Sequence, residues 1–392
     1  MAAPKERHPP RLSAVLREAE RVTPLELFFD LVFVLAVTQC TALMADEPTW
    51  EGLTKGALVL GVLWWSWGGY AWLTSVVDPE EGSVRIAMFA AMAAFLVVSI
   101  AVPRAFENLA VTFAVAYGVV RLAHIALFLL ASRDDPELRT STVGLAVSTA
   151  IGVGLLTAAS LLDGAAQIGV WALALVLDLA GPFFFGAEGW KLVPGHFAER
   201  HALIVIVALG ESIVAIGVGA ETSLTAGVTT AAAVAIALLA AMWWAYFDVD
   251  AAVAARHLAA TTPGRERNDM ARDAYSYMHF PMVLGIVLVA LGLKKTLGHV
   301  GEPLDTVPTV ALVGGVALYL LAHVAFRLRT ARTVSGPRLL VAVALLGLVP
   351  AALEMPALLT LSAVTVGLCA LITYETVRYA GTRDEVRHQH PG

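Results

Sequence analysis

The stretch Leu109–Ala131, LAVTFAVAYGVVRLAHIALFLLA, decides the fold. It is 23 residues long and holds one charged side chain, Arg121. At about 1.5 Å per residue such a helix reaches roughly 34 Å, enough to cross a hydrocarbon core of about 30 Å. The rest of the chain resembles it. Of 392 residues, 58% are hydrophobic and 15% charged, with a mean hydropathy of +0.75. A soluble domain carries about 25% charged residues, so the composition is that of a membrane protein. Twelve helices of about 20 residues consume about 240 residues. What remains is too short for a receptor ectodomain, a nucleotide-binding module or a DNA-binding head.

Apolar runs broken by charge, Pro and Gly predict spans near 24–45, 53–74, 84–103, 109–131, 141–161, 166–186, 201–220, 228–248, 275–293, 308–328, 338–354 and 357–378. The distribution of basic residues tests this count. With the N-terminus inside, 21 of the 26 Lys and Arg fall on the cytoplasmic side; Lys55, Arg104, Lys294 and Lys295 lie outside and Arg121 lies within a span. The expected fold is an all-α polytopic membrane protein of about twelve transmembrane helices with both termini cytoplasmic. Residues 1–23 read as a retained cytoplasmic amphipathic arm, because Glu26 and Asp30 interrupt the apolar run a signal peptide needs. Residues 379–392 read as a cytoplasmic tail. The connection 249–274 mixes Arg256, Arg265, Arg267 and Arg272 with Asp250, Glu266, Asp269 and Asp273. It reads as a solvated cytoplasmic loop, with lipid or partner binding as the other possibility. Cys40 and Cys369 lie in apolar runs without CxxC spacing and read as inert buried thiols.

Internal similarity divides the chain in two. Trp64-Trp65 recurs as Trp243-Trp244, and Glu20-Arg21 as Glu199-Arg200, both at an offset of 179. Leu122-Ala123-His124 recurs as Leu321-Ala322-His323, and Arg139 as Arg338, at an offset of 199. The halves are 24–191 and 192–378. Six spans each makes them parallel repeats, an arrangement in which transporters place their sites between the halves.

Charges inside a membrane cost about 2.5–3.5 kcal/mol each on insertion scales, so each needs a partner, water or a task. Asp30, Arg121, Asp178 and Glu211 stand out, with Glu26 one turn before Asp30 on the same face. The predicted boundaries put Arg121, Asp178 and Glu211 at a similar depth, where they are expected to meet. Two readings stand for Arg121: it holds a carboxylate ionised in an ion pathway, or it neutralises Asp178 or Glu211 and fixes helix register. For Glu211 the neighbouring Gly210 suggests close helix approach or a local break, the setting in which membrane sites form. His124, one turn after Arg121, reads as a proton relay or a hydrogen-bonded packing residue. His279 precedes Pro281, a potential kink. Asp248, Asp250, Glu354 and Glu375 lie near boundaries and are expected to be wet. Trp64, Trp65, Trp67, Tyr70 and Trp72 are expected to pack between helices. A mid-span Lys of opsin type, a P-loop and an HExxH zinc motif are all absent, and no nucleophile–His–acid set supports an enzyme.

Several segments resemble one family. Thr23-Pro24-Leu25-Glu26-Leu27-Phe28-Phe29-Asp30-Leu31-Val32-Phe33-Val34 is similar to the opening signature of the bacterial low temperature requirement A proteins. So are Arg121-Leu122-Ala123-His124, Leu177-Asp178-Leu179 with Pro182, and His196-Phe197-Ala198-Glu199-Arg200. Gly210-Glu211-Ser212-Ile213-Val214, Trp243-Trp244 with Tyr246-Phe247-Asp248, and Tyr275-Ser276-Tyr277-Met278-His279-Phe280-Pro281 continue it. The resemblance runs from about residue 20 to 378, with His201 and Ala202 as mild departures. It implies a polytopic bacterial membrane protein and carries no substrate, reaction or site residues. A weaker likeness to the two-repeat lysosomal potassium channels rests on Phe29-Asp30, but Leu31 occupies the place of that family's Gly.

The expected function is transport of a small solute or ion across the cytoplasmic membrane, with proton coupling through Glu26, Asp30, Arg121, His124, Asp178, Glu211 and His279. A cation channel lined by the first and seventh helices, and a non-transporting sensor of lipid state in the cold, are the alternatives. The expected partners are the lipid bilayer and an unidentified small solute or ion. No cofactor, metal or nucleic acid is expected.

Overall fold

The computed structural model describes residues 21–80, 82–184, 189–220, 224–381 and 383. Most of the expected N-terminal arm, through residue 20, and the tail from 384 lie outside the described residues. The described residues are all-α. The first half holds α1 (Pro24–Asp46), α2 (Trp50–Val76), α3 (Gly82–Ala101), α4 (Ala110–Ala131), α5 (Pro136–Ala159) and α6 (Gly164–Phe184). The second holds α7 (Pro194–Gly219), α8 (Ala226–Phe247), α9 (Asp250–Ala260), α10 (Arg265–Met270), α11 (His279–Gly298), α12 (Thr306–Ala331), α13 (Gly336–Ala352) and α14 (Ala357–Arg378). A π-helical segment, Ala271–Tyr277, joins α10 to α11.

Ten helical segments are long and apolar enough to cross a membrane, and the protein is a multi-pass membrane protein. The two expected spans outside that set are α2 and α13. α13 has only 17 residues. α2 is diluted in hydropathy by Trp, Gly, Ser and Thr, yet Trp64, Trp67 and Tyr70 are fully buried, so neighbouring protein rather than lipid surrounds them. On α4 the polarity runs inside out: Arg121 and His124 are buried, while Val111, Val115, Val119 and Leu122 are exposed. That is the pattern of a helix with lipid on one face and protein on the other.

Local chemistry sets the helix starts. Thr23 caps α1 in a reciprocal capping box with Glu26, and Pro24 opens the first turn. Asp135, Thr225 and Ser335 cap α5, α8 and α13 with side-chain oxygens. α11 and α12 cross closely because glycines face each other: a Cβ on Gly285 would lie 2.7 Å from the Gly315 carbonyl oxygen.

In the first half, α1 packs on α2 and α3, α3 on α4, α4 on α5, α5 on α6 and α2 on α6. In the second, α7 packs on α8 and α11, α11 on α12, α12 on α13, α13 on α14 and α8 on α14. The halves meet where α1 lies against α7 and α11.

Three expectations are corrected. The connection 249–274 is not a simple solvated loop, because α9 packs on α7 and α12 and Asp250 and Asn268 are buried. Asp250 is not wet: Arg338 and Arg327 pair with it, and Arg338 also binds Glu375 at 2.9 Å. α7 runs unbroken through Gly210, and a Cβ there would meet nothing within 4 Å, so this glycine provides neither a break nor a close approach. Pro281 lies inside the continuous helical stretch Arg265–Gly298, just after the π-helical segment Ala271–Tyr277, and the Ser276 carbonyl five residues before it is taken by Trp64 Nε1 rather than by a backbone N–H.

Candidate functional site

The capping box that starts α1 also builds the most charged contact between the halves. Glu26 Oε2 accepts from the Thr23 backbone N–H at 2.8 Å and from its hydroxyl at 3.0 Å. Glu26 Oε1 is thereby turned toward α7, where it lies 2.8 Å from His196 Nε2 and 3.5 Å from Arg200 Nη1. One turn further, Asp30 Oδ1 accepts from Arg200 Nη2 at 2.9 Å and from Trp67 Nε1 of α2 at 2.8 Å. His196 Nδ1 lies 3.0 Å from Ser75 Oγ, and the guanidinium sits 5.6 Å from the centre of the Trp67 ring. The i,i+4 spacing of Glu26 and Asp30 on α1 matches that of His196 and Arg200 on α7. All four side chains are buried.

A second group lies within the first half. Arg121 Nη2 donates to Asp178 Oδ1 at 3.1 Å and to Thr149 Oγ1 at 2.6 Å, and Tyr117 OH lies 3.5 Å from Nη1. The expected meeting of Arg121, Asp178 and Glu211 is thus only partly realised. Glu211 binds the Thr38 hydroxyl of α1 instead. The physical reason is that α7 starts at Pro194, seven residues before the predicted boundary, which moves Glu211 toward the far end of its helix. Between the two acidic levels the helices are apolar: Phe33, Ala36 and Val37 on α1 and Ile204, Val205 and Ala208 on α7 are buried.

The histidines divide between the halves. His279 Nε2 lies 2.8 Å from Tyr246 OH and its Nδ1 lies 3.1 Å from the Ala274 carbonyl, which the π-helical turn presents. His201 packs 5.3 Å from the His279 ring, and His323 lies 5.6 Å from the Tyr246 ring. His124 packs against Tyr70 and Phe128 with ring centres at 5.2 and 5.0 Å. The aromatic residues of α2 also tie polar groups together: Trp64 Nε1 donates to the Ser276 carbonyl at 2.8 Å and Trp72 Nε1 to the Ser276 hydroxyl at 3.0 Å.

Sequence reading passed over Arg200, His196, Trp67 and Thr149 as site residues. Pro194 was the available signal, since Pro favours the first helical position. A helix starting there carries His196 and Arg200 inside the span at the spacing of Glu26 and Asp30.

Comparison with known proteins adds the following. No solved structure matches the chain. It is 30% identical over 306 residues to an uncharacterized protein of Rhizobium meliloti (strain 1021), an alignment covering 75% of this chain and 74% of that protein. The model of the bacterial low temperature requirement A protein matches residues 21–373, and the chain belongs to that family.

Proposed function

We propose that the protein is a proton-coupled permease for a small solute in the bacterial cytoplasmic membrane, with twelve spans, both termini cytoplasmic and two parallel six-helix repeats. The repeated packing pairs support the duplication. Six packing pairs within α1 to α6 have counterparts within α7 to α14 once α9 and α10 are set aside as an insertion, while the α2–α4 contact has none of comparable extent. The parallel orientation places the α1–α7 contact near the pseudo-two-fold axis, where such transporters carry their sites.

The observation that carries the reading is the charge inventory of that contact. Glu26 and Asp30 face one guanidinium, Arg200, and one imidazole, His196. An imidazole 2.8 Å from a buried carboxylate is a pair that can hold or release one proton, and a proton held in this way can be gained and lost as the helices separate. Glu211 and Thr38 form a second acidic position on the same helix pair, beyond an apolar stretch that favours rocking of the halves over an open pore.

The test is transport by purified protein in proteoliposomes, with a panel of radiolabelled amino acids, organic acids and osmolytes. The reading expects an inward proton gradient to accumulate at least one solute above equilibrium, and a protonophore to abolish the accumulation. Folded protein that accumulates none of them, or accumulates one regardless of the protonophore, overturns it.

A further inference from the structure

The duplication draws attention to two clefts at equivalent places. One cleft opens among α2, α4, α5 and α6, with Asn268, Arg272 and Ser276 of the second half at its mouth; another opens among α8, α12, α13 and α14. The repeat pairs match in both linings: Trp65 with Trp244 at the offset of 179, and Phe128 with Arg327 at the offset of 199. The contents differ. The second cleft is spanned by Arg338, held by Asp250 and Glu375, with Arg327 also on Asp250 and Arg383 on Asp248. Its charges answer one another. The first cleft has Gly181 and Pro182 on α6 and an almost wholly apolar wall.

At the first cleft the polar groups are not all used. His124 is 1% exposed; its ring lies against the Gly69 backbone, and neither ring nitrogen has a side-chain partner. Arg121 Nε is likewise buried without a partner, while Nη2 serves Asp178 and Thr149. A buried polar group left without a partner costs about 1–3 kcal/mol, and here two such side chains line one cavity.

We propose that this first-half cleft binds a short-chain monocarboxylate, its carboxylate taking the free donors of Arg121 and His124 and its alkyl chain lying between Trp65, Trp72 and Pro182. The cavity volume is about 80 Å³. One water needs about 10–15 Å³ of such space, so the cleft has room for several waters and for a short-chain acid. The second cleft offers no matching free guanidinium, because Arg338 there is held by Asp250 and Glu375. The assignment deepens the permease reading by naming its substrate class.

Charge balance then links binding to protons. Arg121 and Asp178 already neutralise each other, with Tyr117, Tyr70, Thr149 and His124 as the remaining groups around them. Arg272, at the cleft mouth, is taken by Asp269 and Asp273, and Asp273 also holds Arg329. A second carboxylate beside Arg121 therefore needs a proton, on itself, on Asp178 or on His124.

The probe is sodium propionate, titrated at constant ionic strength into full-length protein in nanodiscs, read by fluorescence of the cleft tryptophans. Propionamide is the neutral control. Saturable propionate binding is expected, at least about tenfold tighter than propionamide, with uptake of about one proton per propionate at neutral pH. His124→Leu removes the imidazole donor and Gly68→Val fills the cleft, a Cβ at Gly68 meeting nothing within 4 Å. Each should weaken propionate about tenfold or more with thermal stability retained; if His124→Leu does not fold, Gly68→Val decides alone. Equal binding of propionate and propionamide, no saturation, no proton uptake, or wild-type affinity in Gly68→Val overturns the assignment. Binding without transport would leave it standing and overturn the permease reading. Proton-driven accumulation of another solute without propionate binding would do the reverse.

Discussion

Arg200 Nη2 donates to Asp30 Oδ1 at 2.9 Å across the contact between α7 and α1, so the two halves are joined by an ion pair that water does not reach. Breaking a buried pair from one side leaves the other charge stranded, at about 3–5 kcal/mol. Arg200→Met should therefore lower thermal stability in detergent strongly. Adding Asp30→Asn and Glu26→Gln to it should restore most of the loss, because the stranded charges go with the guanidinium.

The Arg121 group has a definite ranking. Asp178→Ala strands a buried guanidinium, whereas Thr149→Val removes one hydrogen bond to a charged group, about 1.5–3 kcal/mol. Thermal melts should place Thr149→Val between wild type and Asp178→Ala. The reverse order would mean that Asp178 is not the main partner of Arg121.

Glycine substitutions separate close approach from open space. A Cβ on Gly292 would lie 2.5 Å from Leu312 Cβ and 2.8 Å from its Cα. Gly292→Ala and Gly285→Ala should each destabilise the α11–α12 crossing by about 1–3 kcal/mol. Gly210→Ala should be neutral or stabilising by up to about 1 kcal/mol, since it adds helix propensity without a contact.

Outside the membrane, Lys191 lies 2.7 Å from Asp135, and Asp135 accepts the Leu138 N–H at the start of α5. The Lys191 ammonium first, and the Leu138 N–H after it, hold the Asp135 carboxyl below its ordinary value near 3.8. A lowered value means that the cap stabilises at neutral pH and is lost only as pH falls through the depressed value. Asp135→Ala should cost about 1 kcal/mol at pH 7, and the difference from wild type should shrink below about pH 4. A difference that is the same at pH 7 and in strong acid would contradict the cap.

The membrane class, and helices at all twelve predicted positions, were legible because lipid imposes long apolar runs, a constraint read directly from residues such as Leu109–Ala131. Glu26 and Asp30 were legible as a pair because one turn separates them. Their partners were not. Arg200 lay one residue before the predicted start of its span, and apolar content alone does not register the turn that Pro194 opens. Which of Asp178 and Glu211 takes Arg121 depends on helix neighbours, which depth cannot supply. Asp250 looked wet because a boundary residue usually is; only the fold brings Arg338, 88 residues on, to cover it.

We propose that the Glu26–His196–Arg200–Asp30 network carries the coupled proton. Its most direct test compares wild type with Glu26→Gln in proteoliposomes, following solute uptake against the imposed proton gradient. Glu26→Gln is expected still to exchange solute down its own gradient but no longer to accumulate it in response to the proton gradient. Accumulation by Glu26→Gln equal to wild type, with the same dependence on pH, would contradict it.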